Sequence, residues 1–232
     1  MAPGTLELAP RVRTVMIRLV TGGSGVLGRA LLPLTTAAGH QVKAPTSSEL
    51  GLFDPAAVGD ACRDVDAILR LATRIRPLAE LDKPEAWRDN DRLRADASRI
   101  LVDAALARAV DVYVQPTVTF VYPQDQPATE CTAISEVSPI LRSALVAAQQ
   151  TARFAAGGRR GIALRFGLLD GPATGHEQPV PSLGATLHVQ DAAHALLAAL
   201  AIPSGIYNVC RDGERVSNAR FSMTAEWRPR HT

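Results

Sequence analysis

Apolar positions along the chain fall into two alternating periods. Val15 to Val20 is a near-continuous apolar run broken only by Arg18, the pattern of a strand covered on both faces in a parallel sheet. Val26 to Ala38 then follows a helical period and stops at Gly39, which suits a left-handed helix end. "HQVKA" reads as a second strand, and "FDPAAVGDAC" as a short helix with Asp54 at the N-cap and Pro55 at the first helical position. "VDAILRLA" is a third strand. Glu85 to Ala109 alternates a charged and an aliphatic side at helical spacing, which predicts one long amphipathic helix. "VDVYVQPTVTFVY" supplies a fourth strand running into a loop, and residues 123–139, rich in Pro, Gln, Thr and Ser, read as a segment wandering over a site. A helix over Pro139–Ala156, a strand at "GIALRF", a helix over Asp191–Ala201 capped by Asp191, and a strand at "GIYNV" complete the series. Strands alternating with helices predict an α/β fold, a doubly wound parallel sheet of Rossmann type.

Length and composition narrow the class. A chain of 232 residues suits one large domain able to bury a core without disulfide staples. The expected division is a leader over residues 1–13, a dinucleotide-binding domain over 14–170 and a reduced substrate-binding portion over 171–232. Net charge is +2, lysines occur only at 43 and 83, arginines are scattered and aromatics are 4%, so no nucleic-acid surface is expected. Cys62, Cys131 and Cys210 are far apart and in no metal-ligand spacing; they read as reduced thiols, with no metal site. No segment has secretory or membrane-spanning length, which makes a cytoplasmic protein with no membrane partner the expectation.

The chemistry begins at "TGGSGVLG", where Gly22, Gly25 and Gly28 lie between the first strand and the first helix. Unpaired N–H groups at a helix start favour a pyrophosphate, and glycines permit the tight turn and close backbone approach that this needs. Gly22, Ser24, Gly25, Val26, Leu27 and Gly28 are therefore the expected phosphate cradle.

The spacing resembles the TGxxGxxG motif of the extended short-chain dehydrogenases, the NAD-dependent epimerase/dehydratase group. "RLAT" looks like the HLAA strand of that family, "VQPTVTFVYP" like its SS-x-x-VYG strand, "LRFGLLDGP" like its LRP…YGP segment, "LHVQDAAHALLAAL" like its HVDD helix and "GIYNV" like its G-x-YN strand. The resemblance implies a nicotinamide cofactor touched by Leu71, Ala72, Thr73 and Arg165 as well as the glycine turn. Asp54 matches an acid that meets the adenine amine in the family, besides its capping role. The second strand ends in "APTSS", with no acid for a ribose hydroxyl and no arginine for a 2′-phosphate. Ser47 and Ser48 accept either sugar, and the reading leans to NADP.

The family's redox chemistry uses Tyr-x-x-x-Lys on one helix face, where the ammonium lowers a phenol pKa of ~10 so that it passes a proton near neutrality. No such pair exists here. The tyrosines are Tyr113, Tyr122 and Tyr207, and the residues four on are Thr117, Gln126 and Arg211. The pair would fall near Leu141 and Leu145, and the accompanying Ser or Thr is replaced by Val118, flanked by Thr117 and Thr119. Two stretches of the substrate portion also read as shortened, after "LLDGP" and after "VCRDGE".

Polar groups left near the cleft are Thr117, Thr119, Tyr122, Arg165, Asp170, His176, His188 and Asp191. Tyr122 and His188 are candidate proton carriers. Asp170 is a candidate general base if burial raises its pKa, or a solvated turn acid. Loss of acid–base help costs ~10²–10⁴ in rate, so the leading expectation is a non-redox catalyst (isomerase, dehydratase or cyclase) for a small specialised metabolite, with NAD(P) structural or absent. The alternatives are an NAD(P)-dependent oxidoreductase or epimerase and a non-catalytic NAD(P)-binding sensor. The expected partner is a small molecule, with homodimer formation open.

Overall fold

Six parallel strands form the central sheet, and each stretch of apolar run described above supplies one of them. A computed structural model of the protein describes residues 16–75, 83–134, 138 and 141–231; the leader over 1–13 and the helix start at 139 and 140 lie outside the described residues. Strands β1 (Ile17–Thr21), β2 (Gln41–Lys43), β3 (Ala67–Arg70), β4 (Val112–Val118), β5 (Arg160–Phe166) and β8 (Gly205–Val209) lie side by side in the order β2-β1-β3-β4-β5-β8. Strand alternation sends Val20, Leu69 and Val114 into one apolar layer and Leu19, Ile68 and Tyr113 into the other. Helices α1 (Val26–Ala37) and α6 (Val189–Ala199) pack together on the first face. The second face is covered by α2 (Pro55–Ala61), α4 (Ser98–Ala107) and α5 (Arg142–Ala156). This is the expected Rossmann-type doubly wound sheet.

Chain direction across the sheet reverses between β1 and β3: β2 lies on one side of β1 and β3 on the other. Ligands of open α/β sheets bind beyond the carboxyl ends of the strands at such a reversal. Thr21 and Arg70 are in register there, as the last residues of β1 and β3.

Three local readings are corrected by the structure. The helix expected over 85–109 is a succession: a 3₁₀ turn Pro84–Trp87, α3 (Arg88–Arg92), a π-helical turn Leu93–Ala97 and α4. A π-turn widens the helix by one residue and shifts which side chains face in. The inward set is Asn90, Arg94, Ala97, Ser98 and Leu101, polar in its first half. The cap of α6 is His188, whose Nδ1 accepts from the Gln190 N–H at 3.3 Å, and not Asp191. Asp191 is buried and accepts from the N–H groups of Arg230 and His231, both at 3.0 Å, which ties the end of the chain to α6. Finally, β6 (Leu168–Asp170) and β7 (Thr186–His188) form a separate two-stranded parallel ribbon that periodicity over three residues is too short to reveal.

The segment expected to wander is pinned. Ala128 bridges to Val216, and the Arg215 guanidinium donates to the carbonyls of Pro123 and Gln126. Glu130 Oε1 accepts from the Asn208 N–H of β8 at 2.7 Å. A last helix, α7 (Ala219–Thr224), packs Phe221 against Tyr207 and Trp227.

Candidate functional site

The turn joining β1 to α1 is shaped by contacts that only glycine allows. Gly22 has φ +76°, and a Cβ there would stand 2.6 Å from the backbone of Ala72 beyond β3. A Cβ on Gly28 would run into the carbonyls of Gly22 and Gly23, so α1 starts flush against the turn. Gly25 differs. As the N-cap it is exposed, and a Cβ would meet only the Gly22 carbonyl, at 3.2 Å. The helix start has no side-chain cap and no acid in its first turn, so its free N–H groups and positive dipole end face outward. A pyrophosphate fits this cradle. Ser24 is exposed at its lip, Val26 and Leu27 are half-buried behind it, and Arg29 Nη1 donates to the Ser24 carbonyl at 2.9 Å. Arg29 brings a cation to the mouth of the turn, one helical position past the motif that drew attention first.

Around the far end of β2 the residues form a recess of about 400 Å³ lined by Lys43, Ala44, Pro45 and Glu49 among others. Lys43 Nζ donates to the Arg63 carbonyl at 2.8 Å. Glu49 accepts from the N–H and hydroxyl of Thr46, at 2.7 and 2.9 Å, bonds that hold its carboxyl below its usual pKa. Ser47 is exposed, and Ser48 pairs with Thr46. Glu49 lies six residues beyond β2, outside the strand-end window in which a ribose-binding acid is ordinarily sought. Asp54 caps α2, its Oδ1 accepting from Ala56 and Ala57 N–H at 2.9 and 3.3 Å. At the end of β3, Leu71 is buried, Ala72 half-buried against Gly22, and Thr73 exposed.

Where a proton relay would stand, α5 presents small side chains. Its inward stripe is Ser143, Ala144, Ala147, Ala148, Thr151 and Phe154. Leu141 is the N-cap, and both it and Leu145 are only half-buried. The helix begins at Arg142, Ser143 and Ala144 are its first buried residues, and Ile140 lies outside the described residues.

All three tyrosines of the chain are buried and already donating. Tyr113 donates to Gln115 Oε1 at 2.7 Å, Tyr207 to the Pro203 carbonyl at 3.1 Å, and Tyr122 to Asn208 Oδ1 at 2.8 Å. Burial pushes the Tyr113 phenol up to about 12. Burial also raises Tyr122, and the nearby Arg165 only partly offsets it. A phenol that gives up protons near neutrality needs the opposite shift.

Arg165 does not meet a carboxylate within ion-pair distance among the described residues; its Nη1 donates to the Tyr122 hydroxyl at 2.5 Å. Thr117 donates to the Leu164 carbonyl at a long 3.5 Å, while the Thr119 hydroxyl is buried without a partner among the described residues.

Asp170, expected as a candidate base or a solvated turn acid, is not solvated. It is 1% exposed and takes a two-pronged ion pair from Arg211, Nη1 to Oδ2 at 2.5 Å and Nη2 to Oδ1 at 2.8 Å. Arg211 is thereby held charged, its pKa raised first by the Asp170 hydrogen bonds. His188 stacks on His231 with ring centroids 3.8 Å apart and an 18° interplanar angle. Burial, then the neighbouring His231, lowers the pKa of His188. His176 bonds through its backbone, its carbonyl accepting from Gly171 N–H at 2.7 Å. Among the described residues no group of three His, Cys, Asp or Glu side chains is placed to hold a metal ion, and no helix is long and apolar enough to cross a membrane.

Comparison with known proteins agrees with this geometry. A 3-diazoavenalumate denitrifying reductase of a Streptomyces species is 30% identical over 217 residues, 78% of this chain and 71% of that protein. Among solved structures, the UDP-N-acetylglucosamine 4-epimerase of Bacillus cereus superposes with a TM-score of 0.78 at 18% identity, over 94% of both chains. A short-chain dehydrogenase/reductase superfamily protein of Agrobacterium tumefaciens with bound NAD gives 0.75 at 20% identity over 93% of both. RMD of Pseudomonas aeruginosa, complexed with NADPH, gives 0.74 at 20% over 94% of both. Residues 18–183 match the model of the NAD dependent epimerase/dehydratase family, and with the glycine turn and the strand order already described, the chain belongs to that family.

Proposed function

We propose that this protein is an NADPH-dependent reductase that places hydride on a carbon from which dinitrogen departs, a reaction that needs no proton for an oxygen atom. The observation that carries the reading is the inward face of α5. Ser143, Ala144 and Ala147 stand there, and every phenol in the chain is engaged elsewhere. Carbonyl–alcohol chemistry on this scaffold requires a proton at oxygen, and that requirement made the non-redox expectation attractive. Hydride transfer itself has no such requirement. The relative's name describes a reductase acting on a diazo compound with loss of nitrogen, and this reconciles an intact phosphate cradle with an absent relay.

Reduced nicotinamide, when bound, would supply the hydride: the C–H bond forms as the C–N bond of a diazonium breaks, and N₂ leaves with the former bonding pair. The chain's own part is to hold and orient. The first-turn N–H groups of α1 would bind the pyrophosphate, with Arg29 adding a cation beside it. Ala144 and Ala147 are buried on the inward face of α5 and bring no polar group there. The preference for NADPH rests on Lys43 at the end of β2 and on Glu49, whose carboxylate is already engaged by Thr46.

The test is turnover of 3-diazoniobenzoate with deuterium-labelled NADPH (4-²H). The expected result is one deuterium at the ring carbon and one N₂ per NADPH oxidised, at a rate above the uncatalysed background. No enzymatic acceleration, together with turnover of a ketone or sugar nucleotide, overturns the reading. A second reading, non-redox catalysis, is favoured by the same missing pair; it requires activity that persists after the nucleotide is stripped.

A further inference from the structure

Beside the phosphate turn the structure holds two buried guanidinium groups that nothing above uses. Arg70, the last residue of β3, is 1% exposed, and its Nε and Nη2 have no hydrogen-bond partner among the described residues. Arg94, in the π-turn, is 5% exposed, and its Nη1 is likewise without one. One turn earlier on the same inward stripe, Asn90 is fully buried; its Oδ1 accepts from the Arg74 N–H at 3.3 Å, and its Nδ2 is unpartnered. Buried polar groups in folded proteins are nearly always satisfied, and an unsatisfied buried charge is the costliest exception. The idle donors here are three guanidinium nitrogens and one amide, and beside them Asp91 Oδ1 is a buried acceptor without a partner among the described residues.

We propose that Arg70, Arg94 and Asn90 form a binding site for an oxyanion, the carboxylate of the substrate. A carboxylate is acceptor-only, and its two oxygens match the fork of a guanidinium. Strand alternation places Arg70 on the face of β3 that carries Ile68, where α4 covers the sheet. Tyr113 and Gln115 of β4 project to that same face, and their polar atoms are already joined to each other and to Ser98, so they leave the arginine donors free. Among the described residues Asp91 is the acid that acts on Arg94, and it lies beyond ion-pair distance. Burial pulls the Arg70 pKa down to about 10, with Arg94 adding to the effect, the direction that an arriving anion would reverse. Arg70 is in register with Thr21 at the base of the glycine turn, so an acid anchored here would extend toward the cleft over the sheet's carboxyl edge.

This assignment rests on the reductase reading only for the identity of the cleft, and its test does not involve hydride transfer. Calorimetric titration of the full chain with benzoate, with benzamide as neutral isostere and with NADPH, separates the cases. The expected result is benzoate binding at least tenfold tighter than benzamide, and a tenfold or greater loss in Arg70→Met and in Arg94→Gln with NADPH affinity unchanged. Arg70→Met should melt no lower than the parent, because a Met replaces an unpartnered buried charge. Equal binding of benzoate and benzamide, or unaltered benzoate binding in both variants, overturns the site. So does loss of NADPH binding in place of benzoate binding, which would make the oxyanion a nucleotide phosphate. Benzoate capture by a protein that leaves the diazonium unreduced would sink the reductase reading and leave this one standing.

Discussion

Replacing Asp170 by Ala separates a structural acid from a chemical one. In the folded protein both Asp170 oxygens are taken by Arg211, at 2.5 and 2.8 Å, with the two side chains 2% and 11% exposed. Arg211 Nη1 also donates to Thr186 Oγ1 at 3.0 Å, and Thr186 in turn is held by Glu214. Removing one partner of a buried pair costs ~3–5 kcal/mol because the other charge is stranded. Arg211 keeps the Thr186 bond, a slight opening to solvent and a nearby carboxylate in Glu214, so the low end applies, about 3 kcal/mol. For a chain of this size each kcal/mol moves the melting midpoint by ~2–4 °C, giving a fall of roughly 6–12 °C. The double variant Asp170→Leu with Arg211→Leu should recover most of that loss, since an apolar pair strands no charge. Urea unfolding followed by circular dichroism gives the free energies, and diazonium turnover is read on the same samples under conditions where the variant is folded. Turnover per folded molecule is expected to stay within a few-fold of the parent. A variant as stable as the parent to within ~0.5 kcal/mol but without turnover would show Asp170 to be a base after all.

The glycine turn yields a paired test. Gly25→Ala should fold with at most a small loss of stability yet bind NADPH at least tenfold more weakly, because the new methyl meets only the Gly22 carbonyl, at 3.2 Å, and occupies the phosphate approach. Gly28→Ala should fail to fold stably, since its methyl meets the carbonyls of Gly22 and Gly23; soluble yield, thermal melting and NADPH fluorescence distinguish the two. Asp54→Ala removes the α2 cap and should lower stability by about 1 kcal/mol, with NADPH affinity falling only if the carboxylate also meets the adenine. Thiol titration should find one reactive cysteine in the native protein, the exposed Cys131, and three in urea. Cys62 and Cys210 are buried, and burial pushes the Cys62 thiol up to about 11 and raises Cys210 further. The same shift fixes a pH dependence. Cys62 rises from 9.0 to about 11 and Tyr113 from 10.0 to about 12, so the unfolded chain loses these protons first and stability falls as pH rises from about 9 to 12.

Much of the scaffold is set by short-range chemistry and was therefore readable in the residues themselves. Short apolar runs bounded by turn residues suit strands covered on both sides, Gly39 and the Asp54-Pro55 pair punctuate helices by backbone geometry, and the glycine spacing marks the tight turn between β1 and α1. The absence of Tyr-x-x-x-Lys is likewise complete in one dimension, because it is a statement about residue types four apart. What the line of residues leaves undecided depends on distant partners. The π-turn in 93–97 rotates Arg94 inward, and no periodicity shows that. Asp170 looked like a free acid until a residue 41 positions away closed on it. His188 displaced Asp191 as a cap because the end of the chain, at His231, claims the Asp191 carboxylate. Whether a charge is paired or stranded is decided by which side chains the fold brings within about 3–4 Å, where electrostatic energies become large only after water has been removed. That is why tertiary structure alone could pair Asp170 with Arg211 and bring forward Arg70 and Arg94.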